Sequence, residues 1–132
     1  MSHERVLLDT NVVIGLFAGD PRISDRLAAK QEVFLPVPTL GELYRGAFGS
    51  TRRSENLRRI EQFAQAVPVL SCDAVTARHY AELKQALLER GRPIPENDLW
   101  IAGIAAQHSL SVMTRDAHFN ELRGVEVEFL EL

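Results

Sequence analysis

Two aspartates stand where a parallel α/β sheet places its chemistry. Asp9 directly follows the apolar run RVLL at residues 5–8, and Asp116 follows SVMT at residues 111–114 by one residue. In an open parallel sheet, ligands bind beyond the carboxyl ends of the strands, near the point where strand order reverses. If these two strands are neighbours at that point, both carboxylates face one crevice. Taken singly, each aspartate reads equally well as the cap of the helix that follows it. Asp98 is a third candidate. At about 100° per residue it shares a helix face with Ile101, Ala102 and Ala105, a small-residue face suited to close approach to the sheet. Its plainer reading is a carboxylate complementing the helix N-terminal dipole, with Asn97 as the N-cap. Glu42 is the weakest of the acids on these grounds. Leu40, Leu43, Tyr44 and Ala47 define the apolar arc of its helix, and Glu42 lies away from the centre of that arc, a solvated position.

Carboxylates that converge without a cation repel one another and rise in pKa. The arrangement becomes favourable around a hard divalent ion, and Mg²⁺ and Mn²⁺ both prefer oxygen ligands. Such a site can activate water and stabilise the leaving oxygen of an in-line phosphodiester displacement. That is nuclease chemistry. A cysteine–histidine metal cage is not supported: Cys72 is the single cysteine, and His3, His79, His108 and His118 are scattered, with no CxxC or HxxxH spacing. Each histidine reads as an ordinary polar residue.

The elements that must position these acids follow from the apolar patterning. Residues 5–8, 33–35, 68–70, 111–114 and 125–130 read as strands. Between them fall predicted helices: an apolar one after Asp9 through Phe17, then 23–30, 40–48 with Thr39 as N-cap, an arginine-rich one at 52–66, 74–89 capped by Asp73, and 97–108. Val75, Tyr80, Leu83, Leu87 and Leu88 supply the apolar positions of the long helix, and a turn or short helix is expected around 118–122. Residues 91–95, Gly-Arg-Pro-Ile-Pro, form a stiff non-helical loop. Strands alternating with helices imply βαβ units and a helix-covered parallel sheet, so the fold class is α/β with about five strands.

The chain has 132 residues, the size of one compact domain, and no repeat or linker divides it. The single cysteine excludes an internal disulfide framework and points to a reducing compartment. The apolar stretches near the N-terminus are short and interrupted by Asp9 and Asn11, far from the ~20 residues of a membrane span. The expected setting is the cytoplasm, without membrane association. A net charge of −3 argues only superficially against a nucleic-acid partner. Residues 43–60 carry Arg45, Arg52, Arg53, Arg58 and Arg59 against Glu55, a local +4, which leaves −7 on the other 114 residues. Thirteen of the fifteen basic residues are arginine, whose forked guanidinium suits phosphate. A solvated helix face would explain the cluster equally well.

Four segments together resemble the PIN-domain ribonucleases, specifically the VapC-type toxins of type II toxin–antitoxin systems. They are VLLDTNVVI at 6–14, TLGELYRG at 39–46, GRPIPENDLWIAGIA at 91–105 and VMTRDAHF at 112–119. The resemblance spans the chain in order and implies a single PIN domain over residues 1–132. It implies a three-layer α/β/α fold with a five-stranded parallel sheet ordered 3-2-1-4-5 and a protruding helix pair. It further implies an endoribonuclease dependent on Mg²⁺ or Mn²⁺, with Asp9, Glu42, Asp98 and Asp116 as its catalytic and metal-holding quartet. Glu42 is thereby promoted from surface residue to site residue, which its helical position does not do. Asn11 and Thr114 match polar positions that support the acids by hydrogen bonding. The resemblance also implies a homodimer, an RNA substrate of the tRNA or rRNA class, and inhibition by a cognate VapB-type antitoxin. The helix pair 40–48 and 52–66 would clamp that antitoxin, so Arg45, Arg52 and Arg53 face either RNA or antitoxin.

Two other classes fit less well. A phosphotransfer protein of the receiver type needs a lysine after a late strand, and Lys30 and Lys84 are the only lysines. A haloacid-dehalogenase-type phosphatase needs aspartate two residues after its nucleophile, where this chain has Asn11. A non-catalytic binding module of the same fold would have no reason to tolerate four mutually repelling carboxylates.

Overall fold

Leu7 and its neighbours Val6 and Leu8 point to opposite faces of a strand, and all three are fully buried. A strand apolar on both faces must be covered on both, and it is. The computed structural model describes residues 3–131. Its strands are β1 (Arg5–Leu8), β2 (Glu32–Pro36), β3 (Val69–Leu70), β4 (Ser111–Thr114) and β5 (Val127–Phe129). They form one sheet ordered β3-β2-β1-β4-β5, parallel throughout. The helices are α1 (Thr10–Phe17), α2 (Pro21–Ala28), α3 (Val37–Phe48), α4 (Arg53–Ala66), α5 (Ala74–Glu89) and α6 (Glu96–His108), with a 3-10 turn at Ala117–Glu121. Leu7 and Val112 pack with Leu99, Ile101 and Ile104 on one side of the sheet. On the other side Val6, Leu8 and Met113 pack with Val12, Val13 and Ile60. This is the expected α/β/α layering and strand order. Among the described residues no helix is long and apolar enough to cross a membrane.

β1 and β4 lie side by side at the centre, with Leu8 opposite Met113. Asp9 and Asp116 therefore leave the sheet at the same edge. On the far side of the sheet, α6 packs tightly against α5 through Gly103: a Cβ there would lie 3.3 Å from the Thr76 carbonyl oxygen and from the Tyr80 nitrogen.

Local chemistry anticipated some helix ends and not others. Asp73 does cap α5, in a reciprocal box with Thr76. Val75 and Leu88 are more than half exposed, however, because consecutive Leu87 and Leu88 cannot share one helix face, and Leu87 holds the core position. Thr39 is not a cap. α3 begins earlier, at Val37 after Pro36, with Pro38 accommodated in the first turn, where its missing N–H costs nothing. Thr39 is fully buried, and its hydroxyl donates instead to the Leu8 carbonyl (2.9 Å) at the end of β1. Asn97 is likewise displaced from the cap position, which Pro95 takes, and it reaches the Pro38 carbonyl at 3.5 Å.

Candidate active site

Asp9 caps α1, and both of its oxygens are engaged. The Thr10 N–H donates to Oδ1 (2.8 Å), while the Thr114 hydroxyl (2.7 Å) and the Asn11 amide (3.2 Å) donate to Oδ2. Thr114, at the last position of β4, also accepts the Asp116 N–H at 2.9 Å, so a single hydroxyl links two of the acids. Asn11 Oδ1 accepts the Arg115 N–H (3.0 Å), fastening α1 to the end of β4. Both residues expected to support the acids therefore touch Asp9.

Glu42 projects from α3 toward α1, where the Thr10 hydroxyl donates to its Oε1 at 2.7 Å. Its helical position had suggested a solvated carboxylate; it is half-buried, because the surface it faces belongs to another helix. Thr10 itself was not anticipated. It lies between Asp9 and Asn11, and its hydroxyl is the part that reaches across.

Asp98, in the first turn of α6, is 8% exposed, and its Oδ2 is buried without a hydrogen-bond partner. Burial raises its pKa, and the charges of Asp9, Asp116 and Glu42 raise it further against the opposing effect of His118, to about 7. Burial also raises the Asp9 pKa; the Thr114 and Thr10 hydrogen bonds oppose this, and the charges of Glu42 and Asp116 add to it. Asp98 and Asp9 thus each lie in the field of Glu42 and Asp116.

His118 joins them, contrary to its reading as an isolated polar residue. Asp116 caps the 3-10 turn by accepting the His118 N–H (2.9 Å), which brings the imidazole Nδ1 to 2.9 Å from Asp116 Oδ1 and 3.9 Å from Asp98 Oδ2. The D-x-H spacing was the available signal for the first contact. The second depends on α6 and had none. Arg52 and Arg53 are not at the cluster: Arg52 lies 3.9 Å from Glu55 and Arg53 lies over the Phe48 ring, both contacts within the α3–α4 pair. Arg45 is exposed in the last turn of α3, one turn beyond Glu42.

The donor set suits a divalent cation. A buried carboxylate oxygen without a hydrogen-bond donor and among like charges is neutralised either by a proton, as its raised pKa records, or by a metal ion. One oxygen each from Asp98 and Asp116 and one nitrogen of His118 lie within 4.8 Å of one another.

The PIN domain family pattern matches residues 6–125. Ribonuclease VapC5 of Mycobacterium tuberculosis is 36% identical over 121 residues, covering 89% of this chain and 87% of its own. The chain belongs to the VapC-type PIN-domain ribonucleases. Also similar is the tRNA(fMet)-specific endonuclease VapC of Shigella flexneri, 32% identical over 94% of this chain and 96% of that one. The crystal structure of DNA-bound VapBC from Salmonella typhimurium superposes with a TM-score of 0.86 at 28% identity, covering 95% of this chain and 97% of that one. For a VapC-type PIN domain, the carboxyl edge of β1 and β4 is the natural place for a nuclease site, and this is where its acids gather.

Proposed function

We propose that this chain is the toxin of a type II toxin–antitoxin pair, a single PIN domain acting as a divalent-metal-dependent endoribonuclease on RNA of the tRNA or rRNA class. The observation that carries the reading is the buried, unpartnered Asp98 Oδ2 among the charges of Asp9, Glu42 and Asp116. Those four acids are the quartet that would hold Mg²⁺ or Mn²⁺. When bound, the ion supplies Lewis-acid activation of water and charge neutralisation at the phosphodiester. The chain's own residues do the positioning. Thr114 and Asn11 fix Asp9, Thr10 fixes Glu42, and the Thr114 hydroxyl sets the start of the turn that presents Asp116. Fixing both oxygens of Asp9 costs no reorganisation when substrate arrives.

A cognate VapB-type antitoxin would restrain the enzyme. An open groove of about 250 Å³ runs between α1 and the α3–α4 pair, lined by Ile14, Phe17, Leu43 and Ile60 and reaching Glu42. Arg59 closes one side, with its guanidinium 4.6 Å from the Phe17 ring centroid. An amphipathic segment could lay apolar side chains there and bring a basic one to the acids. Arg45, Arg52 and Arg53, exposed on the same helix pair, would meet either the RNA backbone or the antitoxin. A homodimer is part of the same reading.

The test is cleavage of cellular RNA by the purified chain, with Mg²⁺ or Mn²⁺ and with chelator, beside Asp9→Asn and Asp98→Asn. Cleavage that needs the ion and both aspartates is the expected result. Equal cleavage by wild type and variants would overturn the assignment.

A further inference from the structure

We propose that His118 is itself a ligand of the divalent cation, making the site a mixed nitrogen–oxygen one that favours Mn²⁺ over Mg²⁺. This rests on the reading that the acids hold a divalent ion, and it adds a donor that the carboxylate quartet does not contain. Ligand atoms at about 2.1 Å from one ion lie no more than about 4.2 Å apart. The His118 Nδ1 meets that limit with two acids at once, 2.9 Å from Asp116 Oδ1 and 3.9 Å from Asp98 Oδ2. The second distance is the telling one. A histidine serving only to brace its own turn would need Asp116 alone, whereas Asp98 comes from a different helix and offers the buried oxygen that lacks a partner.

The local fold holds the backbone that carries the ring. Asp116 accepts the His118 backbone N–H at 2.9 Å, and the next residue, Phe119, is fully buried in the core packed beneath α6. The turn is therefore anchored on both sides of His118, which keeps its half-exposed imidazole within reach of the acids. Its Nδ1 contacts Asp116 Oδ2 at 3.2 Å as well, an interaction that a shared cation would replace.

The chemistry fixes the preference. Both ions prefer oxygen, but Mn²⁺, as a transition ion, accepts an imidazole nitrogen more readily than Mg²⁺, which keeps to oxygen ligands and water. A nitrogen donor thus leaves Mg²⁺ affinity nearly unchanged and raises that of Mn²⁺.

The chain, freed of metal, would be titrated with Mn²⁺ and with Mg²⁺. Pulsed electron paramagnetic resonance then reads nitrogen coupling to the bound Mn²⁺. Wild type should show imidazole ¹⁴N coupling, and His118→Ala should lose it. Since outer-shell changes alone cost 10–100-fold in metal affinity, Mn²⁺ binding should weaken about tenfold or more, against less than about threefold for Mg²⁺. His118→Gln keeps a hydrogen-bond donor for Asp116 and no imidazole. It should restore the melting temperature of the metal-free chain without restoring the coupling, which separates ligation from bracing. Mn²⁺ bound without nitrogen coupling, or equal losses for both ions, would overturn the role of His118 while leaving the acid site intact. Binding of neither ion, or binding indifferent to Asp98→Asn, would overturn the acid site and His118 with it.

Discussion

Two of the buried carboxylates, Glu128 on β5 and Asp98 on α6, have opposite surroundings. Glu128, on β5, is 6% exposed and receives Arg26 Nη1 at 2.7 Å and the Lys30 ammonium on its two oxygens. Burial pushes its pKa up, but hydrogen bonds from Lys30 and Arg26 outweigh burial and hold it below the usual glutamate value. Asp98 is equally buried, yet its charged neighbours are mainly other acids, and its pKa is raised. The first carboxylate has its cations built into the chain and ties α2 to the edge of the sheet. The second has no cation built in on that scale, and the proposed metal ion would supply one. Burial alone does not mark a site; a buried charge whose counter-charge is missing does.

Exchanging each carboxylate for its amide tests the contrast. Asp98→Asn should reduce RNA cleavage by about a thousandfold, or roughly 4 kcal/mol of transition-state stabilisation. It should also raise the melting temperature of the metal-free chain at pH 8, because it removes a repelled charge. Glu128→Gln should do the reverse. It strands the Lys30 ammonium, 11% exposed, and should cost about 3 kcal/mol in urea unfolding while cleavage per folded molecule is preserved.

The two groups also pull stability in opposite directions with pH. Between its ordinary value of 3.8 and about 7, Asp98 keeps a proton in the folded chain that it loses on unfolding, so stability falls as pH rises through that window. Asp9, also raised, acts with the same sign. Glu128 is depressed; its contribution is present above its ordinary 4.5 and is lost as pH falls below that value. Melting temperatures in chelator from pH 3 to 8 should show both slopes. Asp98→Asn should flatten the upper one and Glu128→Gln the lower.

Smaller effects probe how the acids are held. Thr114→Val keeps the shape but leaves Asp9 Oδ2 and the Asp116 N–H each short of a partner, at a cost of about 1–3 kcal/mol by denaturant unfolding and about tenfold in cleavage. Asn97→Ala should change stability by no more than about 0.5 kcal/mol, against about 1 kcal/mol for Asp73→Ala, because only Asp73 caps its helix.

The last pair shows what could be read from the chain itself. Asp73 and Thr76 are three residues apart, and their box is local chemistry, visible in sequence. β4 was anticipated to the residue, since an apolar run bounded by breakers has few other forms. Thr39 and Asn97 look like the same kind of cap, but their partners are the Leu8 and Pro38 carbonyls, 31 and 59 residues away. The site follows the same division. Asp9 and Asp116 were legible as strand-end acids and Asp98 as an inward-facing one. Glu42 needed the family resemblance, because a helical wheel does not contain Thr10. His118 was missed because the acid that gives it meaning, Asp98, lies on another helix.

The hydrogen bond from Thr114 to Asp9 spans 105 residues, joining the first strand made to one of the last. During synthesis, at about 5–20 residues per second, Asp9 therefore precedes Asp116 by roughly 5–20 seconds. Throughout that interval β1 has only β2 to pair with, and the acid cluster is incomplete. A chain cut short before β4 lacks Thr114 and Asp116, and any partner that captures β1 or α1 early meets the protein before its acid cluster is complete.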